Sequence, residues 1–207
     1  MGMGRKAAAA VRAHAAAIRA HAAAIRAHAQ AVRAHAAAVR AHAADVAFGA
    51  LALSLGAAAL IWYGAAGDGA LRALLWPHAK AAEAFYHATL RYQDGVGYVA
   101  ADGGFAIGQG CMGMNFIVML FCLMACAYTR RFRGARKAAF FVLSLAGSAA
   151  VGVLVSCIRI IGSVPLLSSS QFTALHAGTG ATLYLAALAS IYALVGRATG
   201  GFHEKHP

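Results

Sequence analysis

From residue 46 onward the chain is dominated by apolar runs of about twenty residues, the length that crosses the hydrocarbon core of a bilayer as a helix, and this restricts the fold more than any other feature. The first run, VAFGALALSLGAAALIWYGAA at 46–66, holds no charge. Trp62 and Tyr63 sit near its far end, where interfacial anchors belong. Such a long segment, beginning well inside the chain, reads as a signal anchor. Three more runs follow at about 112–128, 138–161 and 172–195. Lipid offers the backbone no hydrogen bonds, so spans of this kind must be helices. The sequence therefore predicts an all-α polytopic membrane protein with about four transmembrane helices. At 61% hydrophobic and 12% charged, the 207 residues lack the polar surface of a soluble domain.

Ahead of the first span lies a tandem repeat. Five copies of a [VI]RAHA core begin at Val11, Ile18, Ile25, Val32 and Val39, a period of seven. Alanine is the best helix former and neither Gly nor Pro interrupts, so 1–45 is expected as a basic, alanine-rich helix. Its β-branched stripe suits a coiled-coil seam edged by Arg and His, and so self-association. It equally suits a basic helix on an anionic membrane surface. His14, His21, His28, His35 and His42 read as a metal strip or pH sensor, although seven-residue spacing places them too far apart to chelate one ion within a chain. The plain alternative is a low-complexity segment without catalytic function.

The predicted organisation is this repeat (1–45), a membrane domain (46–197) and a short tail (198–207). Within the membrane domain, 67–110 carries too many charges to span cheaply. LRALLWPHAKAAEAFYHATLRY is expected as an amphipathic interfacial helix broken near Pro77. DGVGYVAADGGFAIGQG is turn-rich with short β-like pieces.

The net charge of +12 does not point to nucleic acid, because the basic residues flank apolar segments and form no aromatic-interleaved patch. Instead it orients the chain. Residues 1–45 hold seven Lys or Arg and 129–137 hold five, whereas 66–110 holds three against four acids and 162–171 holds none. The positive-inside bias then predicts both termini in the cytoplasm. The four cysteines have no CxxC spacing, so neither a disulfide framework nor a zinc site is indicated, and no cofactor is signalled.

That topology brings three chemically able side chains to one depth on the outer side: Cys111 at the start of the second span, Arg159 at the end of the third and His176 at the start of the fourth. Cys111 follows GQG and opens a helix, where unpaired amides favour a thiolate. Cys122 and Cys126, one turn apart inside a span, read as small buried hydrophobes, and Cys157 is intermediate. Arg159 is a permanent charge in an apolar run, explained by function or by snorkelling to the interface. His176 alone reads as an interfacial residue; a base role depends on its neighbours.

These residues resemble a family. GVGYVAADGGFAIGQGCMGMNF is similar to the active-cysteine region of exosortases, particularly the small exosortase K type, with its C-[AS]-G-x-NF motif. SCIRI resembles the family's N-x-x-R-I element. LHAGTGATLYL resembles the element that begins at the family's histidine and leads to G-x-x-x-Y, here Gly180 and Tyr184. LRALLWPHAKAAEAF resembles the upstream L-x-P-T segment. Met112, Ser156 and His78 stand where the family usually has Ala or Ser, Asn, and Thr. The resemblance covers about 46–197. It implies a membrane cysteine protease or transpeptidase of the bacterial inner membrane that cleaves C-terminal sorting signals of exported proteins. Cys111 would be nucleophile, His176 acid and base, and Arg159 the stabilising cation, with an acceptor amine or water resolving the thioester. Two other classes fit the composition: a non-catalytic scaffold organised by the repeat, and a small transporter with Arg159 lining its path.

Overall fold

The computed structural model describes residues 3–200, with side chains from residue 21 onward. The repeat side chains before His21, including His14, and the tail beyond Gly200 lie outside the described residues. The chain folds as two compact units divided between Ala47 and Phe48. The first is the repeat part of helix α1 (Met3–Gly64), in which the uninterrupted alanine-rich sequence is helical as expected.

The second unit holds the rest of α1 with α2 (Asp68–Tyr86), a small sheet, α3 (Met114–Tyr128), α4 (Ala135–Ser163) and α5 (Phe172–Gly200). Among the described residues, four helical segments are long and apolar enough to cross a membrane: His21–Gly64, Gln109–Arg131, Ala135–Leu166 and Phe172–Gly200. The protein is thus a helical polytopic membrane protein. Helix α3 is the central element. Phe116, Leu120, Met124 and Tyr128 recur every fourth residue and pack on α4 and α5, while Phe121 and Ala125 face α1 and Phe141 of α4. Glycines let the backbones approach: a Cβ on Gly152 of α4 would collide with the Ile117 side chain of α3. Outward, Val142, Leu143, Leu154, Leu185 and Leu194 are exposed. Acyl chains would solvate such a surface, leaving close packing and hydrogen bonds to hold the helices together.

Helix α2 runs unbroken through Pro77, contrary to the expected break. Proline removes one backbone hydrogen bond, but Leu75, His78, Ala79 and Ala82, on both sides of it, are buried in one core and hold the helix across the gap. The helix also ends at Tyr86, short of the expected LRY end, and Leu90–Gln93 forms strand β1 instead; with β2 (Gly97–Ala100) and β3 (Ala106–Ile107) of the turn-rich stretch it makes a three-stranded antiparallel meander. Two acids tie it to α2. Asp68 accepts from the Gly95 amide at 2.8 Å and the Tyr92 hydroxyl at 3.0 Å. Glu83 accepts from the Leu90 amide at 2.8 Å and pairs with Lys80. These bonds, to the Gly95 amide first for Asp68 and to Lys80 first for Glu83, hold both carboxyls below their ordinary range.

Candidate functional site at one end of the bundle

After β3 the chain makes a single 3-10 turn, Gln109–Cys111, and α3 begins only at Met114. Cys111 therefore closes a short turn before the helix and does not open α3, which corrects the expectation from its sequence context. Gly113 separates the two with φ +70°, a left-handed conformation that favours glycine. A Cβ there would also strike the Tyr184 hydroxyl and lie 2.5 Å from Ser156 Oγ.

The carbonyls around the cysteine are clamped from two helices. Tyr63 of α1 donates its hydroxyl to the Gln109 carbonyl at 2.5 Å, and Gln109 Nε2 donates back to the Tyr63 carbonyl at 2.6 Å. Arg159 Nη2 donates to the Gly110 carbonyl at 3.1 Å. Ser156 Oγ donates to the Met112 carbonyl at 2.9 Å. The turn bearing Cys111 is thus fixed on three of its carbonyls, while the thiol itself is half-buried and free of disulfide.

Helices α4 and α5 meet along a three-rung ladder. Ser156, Arg159 and Ser163 lie along one face of α4; Tyr184, Gly180 and His176 lie opposite at four-residue spacing on α5. At the first rung, Ser156 Oγ and Tyr184 OH are 3.2 Å apart. Ser156 spends its only proton on Met112, so Tyr184 is the donor. At the second, Arg159 crosses Gly180, where a Cβ would come within 3.0 Å of Arg159 Cδ. Its guanidinium lies 5.4 Å from the centroid of the Tyr184 ring, a cation–π contact. At the third, His176 Nδ1 is 2.9 Å from Ser163 Oγ, which donates its proton to the Arg159 carbonyl at 2.6 Å. Ser163 can then only accept from His176, which places a proton on Nδ1. In the neutral ring this leaves the Nε2 lone pair available as a base.

The three residues singled out from the sequence therefore converge on one end of the bundle. Arg159 reaches the residue before Cys111, and His176 is joined to Arg159 through Ser163. Neither Arg159 nor His176 hydrogen-bonds the Cys111 thiol. The arrangement offers a thiol, a base and a cation within one cluster. Among the described residues no group of His, Cys, Asp or Glu is arranged to hold a metal.

His78 joins this cluster from α2. It is fully buried, and neither ring nitrogen has a hydrogen-bond partner. The Leu74 carbonyl lies near the ring outside hydrogen-bond geometry and offsets only part of the burial. Burial first and the Arg159 charge second hold its pKa below the ordinary range, keeping it neutral at physiological pH. Arg159 Nε is likewise buried without a partner. An apolar cavity of about 260 Å³ lies alongside, lined by Leu55, Leu74, Met114 and Ile117 and by Met112, the neighbour of the cysteine.

Sequence reasoning missed Tyr63 as a site residue, since its place at the end of a span reads as an anchor; it is buried and clamps Gln109. Ser163 was missed too, its only signal being a position one turn beyond Arg159. Cys122 behaves as packing, its thiol 3.5 Å from the Ala52 carbonyl of α1. Cys126 is exposed, and Cys157 is half-buried. No protein-family model, curated protein or solved structure matches this chain.

Proposed function

We propose that the chain is an exosortase-like cysteine transpeptidase of the bacterial inner membrane, acting on the C-terminal sorting signals of exported proteins at the outer face. The observation that carries this reading is the linkage of Arg159, Ser163 and His176 beside the clamped Cys111 turn. The charge distribution supports the orientation: with both termini and the 129–137 loop in the cytoplasm, this end of the bundle faces outward.

In the reaction, His176 takes the Cys111 proton and the thiolate attacks the scissile carbonyl, forming a C–S bond. Arg159 stabilises the charge that develops on the carbonyl oxygen. The C–N bond then breaks and the leaving amine takes the proton from His176. An acceptor amine attacks the thioester, gives its proton to His176, and the sulfur leaves as thiolate. Water in place of the amine gives hydrolysis. The apolar cavity beside Met112 suits the apolar part of a membrane-anchored substrate.

The test compares wild type with Cys111→Ala in membranes containing a protein that ends in a sorting signal. Cys122→Ala is the control. Loss of both cleavage and the enzyme-bound thioester in Cys111→Ala alone is expected. Unchanged cleavage by Cys111→Ala would overturn the reading in favour of the scaffold.

A further inference from the structure

The two edges of the small sheet differ. On β1 the outward-pointing Leu90 amide is taken by Glu83 at 2.8 Å. The edge at β3 is open. The Ala100 amide of β2 donates to the Phe105 carbonyl at 3.0 Å, and Tyr98 pairs with Ile107. Hydrogen-bonded pairs alternate along an antiparallel ladder, so Phe105 and Ile107 turn their backbone groups towards β2 and Ala106 turns its own away. Ala106 is exposed, and among the described residues no other element bonds its amide or carbonyl. The backbone stays extended through Gly108, with φ −97° and ψ −178°, so the amide and carbonyl of Gly108 point to the same open side.

That carbonyl fixes where the cysteine lies. The Cys111 amide donates to it at 2.9 Å. Because the Gly108 carbonyl points out from the edge, the Cys111 turn stands on the open side of the sheet, at the end of the line that a fourth strand would follow about 4.8 Å from β3. The edge thus offers three backbone groups: the amide and carbonyl of Ala106 and the amide of Gly108. It ends on the thiol of the proposed reaction.

We propose that the sorting signal binds as an extended strand added to the β3 edge, which lays its scissile bond against Cys111; this rests on the transpeptidase reading. Main-chain bonds to an open edge hold an extended peptide whatever its side chains. They also exclude a helix, whose amides are already bonded within itself. The edge therefore accepts only the part of the substrate outside its own membrane span, where the chain is extended, and so selects the place of cleavage. An edge of two residues is too short to pair stably by itself. A substrate anchored in the same membrane meets it at a raised effective concentration, so weak pairing is enough to present the bond and still release the product.

The test follows cleavage by the full chain in membranes, comparing wild type, Cys111→Ala and Ala106→Pro. Proline is accepted on an edge strand where its missing amide faces outward, so Ala106→Pro removes one donor to the substrate and keeps the meander. Alkylation of Cys111 by iodoacetamide at the wild-type rate checks that the turn is intact. Ala106→Pro should raise KM about tenfold at unchanged kcat. A second series uses wild type and synthetic signal peptides, each with one backbone amide replaced by an ester. The ester that removes the donor to the Ala106 carbonyl should raise KM by a similar factor, and its two neighbours, whose amides face away from β3, should not. The ester series decides alone if Ala106→Pro disturbs the turn. Unchanged KM in an intact Ala106→Pro, or peptides insensitive to every ester, overturns strand addition while an inactive Cys111→Ala keeps the cysteine mechanism. Cleavage that survives Cys111→Ala overturns both.

Discussion

Histidine occurs in two settings in this chain. His176 sits on a helix face that meets a second helix: Ser163 of α4 fixes one nitrogen and itself bonds the Arg159 carbonyl, while Phe172, one turn earlier on the same helix as His176, packs 5.3 Å from the ring. His21, His28, His35 and His42 are all exposed on the repeat helix, with no packed partner among the described residues. The same side chain, at regular helical spacing in both places, acquires a defined tautomer only where a second helix supplies the acceptor. In the repeat its chemistry waits on whatever packs against it. Regular spacing therefore carries less information about role than the surface it meets.

The comparison can be broken at several points. His176→Gln keeps the size and hydrogen bonding of the ring and removes its base, so processing should fall by about 10³-fold. His28→Gln, on the exposed repeat face, should leave processing unchanged. Equal losses of processing from the two substitutions would erase the distinction. Arg159→Lys keeps the charge but loses the planar fork and the contact with the Tyr184 face, and a loss of about 100-fold in kcat is expected with the fold retained.

Ser163→Ala is the sharper probe, because it leaves His176 in place without its acceptor. A fall of about tenfold in kcat at unchanged KM is expected if the serine only orients the ring. The smallest effect concerns the meander. The carboxyls of Asp68 and Glu83 are held below their ordinary range, so the stability they contribute is present above about pH 4 and is lost as pH falls further. Melting curves of Asp68→Asn and Glu83→Gln at pH 7 and pH 3 should converge towards wild type at the lower value.

Much of the fold was legible in the sequence. Each apolar run became a helix within a few residues of its expected ends, because in lipid the backbone has no other way to satisfy its hydrogen bonds. Strands β2 and β3 fell in the stretch whose glycines and polar turns read as β-like, whereas β1 fell in a segment expected to be helical. Pro77 misled, since a local rule for breaking helices was overridden by burial on both sides of the residue. At the site, Cys111, Arg159 and His176 stood out as reactive or costly groups in apolar surroundings. Tyr63 and Ser163 did not, because a tyrosine at a span end and a serine within one are ordinary there.

By itself the sequence determined that the chain is helical and apolar enough to cross a membrane four times, that its first segment repeats with a period of seven, and which few groups have chemistry to offer. These follow from local rules: residue length against bilayer thickness, propensity, and the cost of charge in lipid. Only the tertiary structure decided that Ser156, Arg159 and Ser163 meet Tyr184, Gly180 and His176 rung by rung, and that the Cys111 turn is held by its carbonyls. Such contacts depend on how two helices are rotated and how closely they approach. That is set by where glycines allow contact and where polar atoms must be satisfied across it, which no single segment specifies.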